Sequence, residues 1–316
     1  MRHVFLVAAA HRTEGEGDAT EDAHRLRRMD RFGRAGYLAG TRAFAAAGRV
    51  SGAPPHARAG VIVGTRHGCR SAITEHAARL AAAMRVEDLA PSVFAATVHN
   101  TVSGELAIAL GLGGISETIV AGRTAGLEAL ILGAHRVAAG DADRILAVAA
   151  EGVDDAMREA WEEERSALGE SATGVDLVET GAAVLLETGE FSSRERSPAR
   201  YVSGTLFFEP DTRRAAARFF EWVNAVEARA GENARPAAVT LCTPDYEDFL
   251  EGYREKEPRV ERFGAAGLYE IAREVAGRRA QAADQLSPHL PSKKIRAYVT
   301  RDVTGAVAAV ALESWF

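Results

Sequence analysis

The chain has 316 residues, 47% of them apolar and 26% charged, with a formal net charge of −6. A chain of this size buries a substantial core without disulfide or metal staples, and this composition excludes wholesale disorder. The acidic balance and the 7% aromatic content lack the basic excess of a nucleic-acid binder and the rings of an aromatic-lined groove.

Two cysteines, Cys69 and Cys242, stand far apart and cannot build a disulfide framework, which fits a reducing, cytoplasmic setting. The apolar run Val4–Ala10 is followed at once by His11 and Arg12, so it reads as a first strand rather than a secretory leader. No stretch approaches the ~20 apolar residues that span a bilayer.

In chain order, Val4–Ala10 is a strand, and Arg28–Ala47 is a helix that repeats Met29, Phe32, Tyr37 and Phe44 among small residues. Gly60–Gly64 is a strand, Glu75–Met84 and Gly104–Leu110 are helices, and Thr118–Ala121 is a strand. The helix Ala125–Ala138 leads to a strand at Arg144–Ala150, and further strands follow at Ala182–Glu187 and Tyr201–Phe208. The remainder alternates: helix Arg213–Ala230, strand Ala237–Cys242, helix Ala265–Ala276, and strands Ile295–Thr300 and Val307–Leu312. Alternating strands and helices predict an α/β chain with buried, largely parallel pairing.

Two features refine this. Leu127, Ala129, Leu130, Ile131, Leu132, Ala134 and Val137 make Ala125–Ala138 apolar nearly all round, which requires burial between two sheets rather than against one. In addition, Thr180-Gly-Ala-Ala-Val-Leu-Leu-Glu187 resembles Thr304-Gly-Ala-Val-Ala-Ala-Val-Ala-Leu-Glu313, a pattern of duplicated halves with Pro198 and Arg194–Arg196 near the seam.

Several segments carry a family likeness. They are Arg27-Arg-Met-Asp-Arg-Phe-Gly33 with its Ala/Gly-rich helix, Pro91-Ser-Val-Phe94 with Asn100 and Gly104, and Gly111-Leu-Gly-Gly114. The longest ungapped stretch runs from Ala121-Gly-Arg-Thr-Ala-Gly-Leu-Glu-Ala-Leu130 to Ala139-Gly-Asp-Ala-Asp143, and Phe263-Gly-Ala-Ala-Gly267 follows late in the chain. Together they resemble the β-ketoacyl synthases of the thiolase superfamily, closely over 20–190 and thinly after 200. The resemblance implies a thiolase-like five-layered αβαβα sandwich of two pseudo-symmetric halves, residues 1–190 and a shortened 191–316. Such a sandwich would bury the all-apolar helix.

Ketosynthases join acyl chains with a Cys nucleophile at a strand-to-helix elbow and two His that hold the decarboxylating malonyl group. Carried over by resemblance, the nucleophile position holds Arg123, the late histidine position Glu261, and the earlier one falls near Leu241-Cys-Thr243, with Cys242 as its best placement. Lys256 matches the late motif's lysine loosely, and Asp302-Val-Thr-Gly-Ala306 replaces the C-terminal Gly/Phe gate. No part of the triad survives, so the chain is not expected to condense anything alone. An Arg at a helix N-terminus opposes the helix dipole. An ion pair with Glu261 would neutralise it and plug the pocket; otherwise the guanidinium reaches solvent or meets Asp154 or Glu151.

Other patterns carry less. Gly122-Arg-Thr-Ala-Gly126 fits a relaxed nucleophile elbow around Thr124, but no base follows it at suitable spacing. His67, Cys69, Glu75 and His76 match no familiar metal spacing and read as a partly exposed helix. Gly111–Gly114 lacks a following Lys-Thr/Ser, so it is no phosphate cradle. The acidic run Trp161–Arg165 reads as a solvated loop or helix face.

A ketosynthase-like chain without its triad is expected to be a chain-length-factor-like partner of an active ketosynthase in type II polyketide, aryl-polyene or fatty-acid-like biosynthesis. It would pair across the central sheet, complete the acyl tunnel and receive chains from acyl carrier protein. No cofactor or metal is implied. The resemblance points to Phe94, Thr97, His99, Asn100 and Val102 for the tunnel and interface, although packing is the simpler role for His99 and Asn100. Two other readings remain: an acyltransferase with chemistry rebuilt on Cys242 or Cys69, or a homodimeric acyl-binding module.

Overall fold

The structure, a computed structural model, describes residues 2–13, 23–48, 56–82, 94–167, 176–189, 197–230, 235–242, 260–261, 263–284, 294–302 and 304–314. The strands are β1 (Val4–Thr13), β2 (Ala59–Thr65), β3 (Ser116–Val120), β4 (Arg144–Glu151), β5 (Asp176–Leu177), β6 (Thr180–Thr188), β7 (Ala199–Phe208), β8 (Arg235–Leu241), β9 (Val260–Glu261), β10 (Lys294–Arg301) and β11 (Ala306–Ser314). The helices are α1 (Ala23–Leu26), α2 (Arg31–Ala46), α3 (Arg70–Ala82), α4 (Thr101–Leu110), α5 (Ala125–Ala139), α6 (Asp155–Ala167), α7 (Thr212–Ala230) and α8 (Ala266–Asp284). Every strand and helix expected from the sequence is present. The two-residue β5 and β9, the short α1, and α6 were not expected as elements.

Nine strands run in the order β3-β2-β4-β6-β1-β7-β11-β10-β8, and β5 pairs with β9 apart from them. From the β1–β7 contact outward the two sides mirror each other, with β6, β4 and β2 on one side and β11, β10 and β8 on the other. The contact itself is short, pairing Val4–Leu6 with Ala199–Tyr201, so the two sides fold over one another. Largely parallel pairing was expected, and the structure corrects this. The pairs β2·β3, β2·β4 and β8·β10 are parallel, and the other five neighbouring pairs are antiparallel. For β10·β11 the cause is local: β11 follows β10 through a tight turn with Gly305 at φ 102°, and so short a connection permits only antiparallel neighbours.

Side-chain alternation along the strands builds three cores. On β4, Ile145, Ala147 and Ala149 enter one cluster while Leu146, Val148 and Ala150 enter another. On β11, Ala308, Val310 and Leu312 join the first of these, and Val307, Ala309 and Ala311 form a third with α7. α2 and α4 cover the outer face of the first side, and α7 covers the outer face of the second. Between them, α5 touches β2, β4 and β6 on one side and β7 and β11 on the other, while α8 touches β1, β6 and β10. The result is the five-layered αβαβα sandwich. The small residues of β4, β6 and β11 let the middle helices sit close to both sheet surfaces, and this is the burial that the apolar α5 requires.

Candidate functional site

The C-terminal ends of β2, β4 and β10 meet the N-terminal ends of the two middle helices. The helix starts touch through backbone: a Cβ on Gly126 would lie 2.6 Å from the carbonyl oxygen of Gly264, so only glycine fits there. Glu151, at the end of β4, has no exposed surface. Its carboxylate accepts from the Thr65 hydroxyl at 3.2 Å and from the backbone N–H groups of Arg66 and His67, and the ring of His67 lies 3.4 Å away.

Arg123 stands in the elbow between β3 and α5 and is 3% exposed. It therefore does not reach solvent, which removes one of the dispositions open from the sequence. Its backbone N–H donates to Asp302 Oδ2 at 2.8 Å, and the other oxygen of Asp302 accepts from the Thr304 N–H at 3.0 Å. Burial alone would push the Asp302 carboxyl up. The N–H groups of Thr304 and Arg123, the Thr304 side chain and the Arg66 charge outweigh it and hold the group below the usual carboxylate range. Of the acids named as alternatives for Arg123, Asp154 bonds Ser71 Oγ and the Met157 N–H, and Glu151 is held as described. The side chain of Glu261 lies outside the described residues; its backbone pairs with Leu177.

Thr124 is 1% exposed and its hydroxyl bonds Glu128 at 2.5 Å, so it presents no free nucleophile to the surface. Cys242 follows β8 in the middle core, with its N–H on the Val299 carbonyl and its sulfur 3.6 Å from the Thr240 carbonyl. Cys69 is fully buried at the start of α3, and its sulfur lies 3.5 Å from His99 Nδ1. Burial, with Asp30 nearby, pushes its thiol up to about 11, so it is no thiolate near neutrality. Lys256 and Arg194–Arg196 lie outside the described residues.

The expected interface residues divide. Phe94 is 61% exposed, the Thr97 hydroxyl caps the Phe94 carbonyl, and His99 turns inward to Cys69. Asn100 is the N-cap of α4 without a side-chain bond to it. Val102 is 1% exposed and packs onto Gly36 of α2, within this chain's core. Phe94 lies against His76 of α3, and Ile73, Leu80, Val98, Ile108 and Val120, the last closing the edge strand β3, are also exposed. Among the described residues no group of three or more His, Cys, Asp or Glu side chains is placed to hold a metal ion. α6 presents the acidic run as a helix face, with Met157 and Trp161 buried against Val153 and Leu177.

Sequence reasoning did not pair Asp302 with Arg123. A Gly/Phe-to-Asp replacement at the gate is the only signal, and 179 positions separate the two residues.

The elbow, the middle helix and the strand that follows all lie within residues 10–189, which match the family model of the β-ketoacyl synthase N-terminal domain. The chain belongs to the β-ketoacyl synthase family. Among solved structures it is similar to the ishigamide ketosynthase/chain length factor, at 17% identity and TM-score 0.74 over 99% of this chain and 100% of that one. It is similar to the same degree of fold, at 18% identity and TM-score 0.74, to a type II polyketide ketosynthase in complex with its acyl carrier protein, AntDE:AntF, over 99% and 100% of the two chains. A β-ketoacyl synthase from Burkholderia phymatum matches at 12% identity and TM-score 0.68 over the full length of both chains. No curated protein sequence matches the chain. At these identities the structural likeness establishes the ketosynthase fold. Within the described residues no helix is long and apolar enough to cross a membrane.

Proposed function

We propose that the chain is a non-catalytic, chain-length-factor-like subunit that pairs with an active ketosynthase in cytoplasmic type II polyketide or polyene biosynthesis. The elbow carries this reading: a buried Arg123 occupies the family's nucleophile position, and Asp302 takes its backbone N–H. A guanidinium stays protonated and cannot form an acyl thioester. In this reading residues 1–190 and 191–316 are the two halves of one ketosynthase-like subunit.

Phe94, Val98, Ile108 and Val120, beside the free edge of β3, form the surface that meets the partner ketosynthase. Acyl carrier protein delivers the chain to the partner's cysteine, and residues reaching across from the segment around Phe94–His99 set its length. The matched structures support this, since their names describe ketosynthase/chain length factor and carrier complexes. Neither cysteine favours an acyltransferase, because both are buried. The test is to purify the chain alone and with a candidate ketosynthase, then assay malonyl-dependent elongation and acyl labelling. Elongation only in the mixture, with label on the partner alone, is the expected result.

A further inference from the structure

Two surface helices carry opposite charge on their outward faces. On α6, Asp155, Glu159, Glu162 and Glu163 are exposed and fall at i, i+4, i+7 and i+8, which places them on one helix face. Met157 and Trp161 hold the inward side of that helix. On α7, Arg213, Arg214 and Arg218 are exposed over the first two turns, while Ala215, Phe219, Val223 and Val226 face the core. The Arg218 guanidinium sits over the Phe207 ring, 4.6 Å from its centre, which steadies it at the surface. Among the described residues no ion pair engages any of these acids or arginines. The neighbouring Asp211 is engaged instead by the Arg214 backbone N–H at 2.8 Å.

Each face is unfavourable by itself. Arg214 and Arg218 lie four apart and repel, as do Asp155 with Glu159 and Glu159 with Glu163. An opposite charge relieves both, and this chain presents one of each sign. We propose that the acidic face of α6 docks on the arginine row of α7 of a second copy of this chain. Charge complementarity selects this occupant, because each copy supplies the face that the other copy's helix lacks. A polyanion such as nucleic acid would engage the arginines and leave the α6 acids repelling one another. The inference goes beyond the partner-subunit reading and does not depend on it, since neither face contains a residue of the surface assigned to the ketosynthase. Exposed ion pairs are individually weak and screened by salt, so the association is reversible and favoured at low ionic strength.

The experiment is sedimentation velocity of the full-length chain, alone and with the candidate ketosynthase, in about 20 mM and about 500 mM sodium chloride. Self-association that rises with protein concentration is expected at low salt and weakens about tenfold or more at high salt. The double variant Arg214→Glu/Arg218→Glu makes both faces acidic, and Glu159→Lys/Glu163→Lys makes both basic. Each variant alone should lose the salt-sensitive association about tenfold or more, with its melting temperature close to that of the unmodified chain. An equimolar mixture of the two variants should restore it, because their exchanged faces are complementary. No salt-sensitive association of the unmodified chain, or no restoration in the mixture, would overturn the proposal. Should either variant fail to fold, the neutral Arg214→Gln/Arg218→Gln chain decides, and undiminished self-association in it contradicts the proposal. Variants that lose the ketosynthase while still associating with themselves contradict it as well. Failure of the unmodified chain to bind any ketosynthase bears only on the partner-subunit reading, which separates the two failures.

Discussion

Glu151 and Asp302 end corresponding strands on the two sides of the sandwich, and each carboxylate lies against a helix start that belongs to the other side. Glu151 closes β4 and abuts Gly264, just before α8, whereas Asp302 follows β10 and holds the N–H at the start of α5. Each carboxylate accepts backbone N–H groups in the interior, Glu151 those of Arg66 and His67 after β2 and Asp302 those of Arg123 and Thr304.

The cysteines are expected to be inert in the folded protein. Burial raises the Cys69 thiol to about 11, so it remains a thiol through the neutral range, and Cys242 is buried in the middle core. Iodoacetamide at pH 8 should modify neither residue until denaturant is added, as intact mass will report. Rapid alkylation of either cysteine in the native state would reopen the acyltransferase reading.

Asp30 caps α2 by accepting the Gly33 N–H at 2.7 Å. Burial, reinforced by Glu179 and Asp154, raises its carboxyl from 3.8 to about 6 against the opposing Gly33 bond and Arg34 charge. The folded state therefore holds this proton more tightly than the unfolded chain does. Its contribution is fully present below pH 3.8 and is lost as pH rises through about 6, worth about 3 kcal/mol. Asp302 works in the opposite sense: with its carboxyl lowered, its contribution is present above its ordinary range and is lost as pH falls below it. Asp30→Asn keeps the cap acceptor and should flatten the stability profile between pH 4 and 6 in urea titrations. An unchanged slope would mean that Asp30 is not the group responsible.

The apolar surface gives a separable prediction. Phe94 and Ile108 are 61% and 73% exposed, so Phe94→Asp and Ile108→Asp should change the stability of the isolated chain by no more than about 0.5 kcal/mol. Each should weaken association with the ketosynthase about tenfold or more in co-purification or sedimentation. Undiminished association would remove this face from the interface.

Much of the fold was legible because its signals are periodic and strong. The apolar circumference of α5 required two sheets, and the Thr-Gly-Ala strands at 180 and 304 became β6 and β11, at mirrored places in the sheet. Strand direction was not legible. Ala- and Val-rich runs look alike whether their neighbours run parallel or antiparallel, and the short turn at Gly305 decides the direction of the β10·β11 pair alone. α6 went unassigned because, among the described residues, its buried apolar anchors are Met157 and Trp161 in a strongly charged segment. At the site, Arg123 was found through its place in the elbow. Its contact with Asp302 was not, since a hydrogen bond across 179 positions leaves no periodic trace. Val102 sits in the same segment as the exposed Phe94 and Val98, but it lies on α4 and faces Gly36 of α2, a packing partner that no local pattern announces.

The most direct test of the account is malonyl-dependent elongation measured with the chain alone, its candidate ketosynthase alone, and the two together, using labelled acyl carrier protein and intact mass of both subunits. The account predicts product only from the pair, with the acyl group carried on the ketosynthase and none on this chain. Elongation or a covalent acyl adduct with this chain by itself would contradict it.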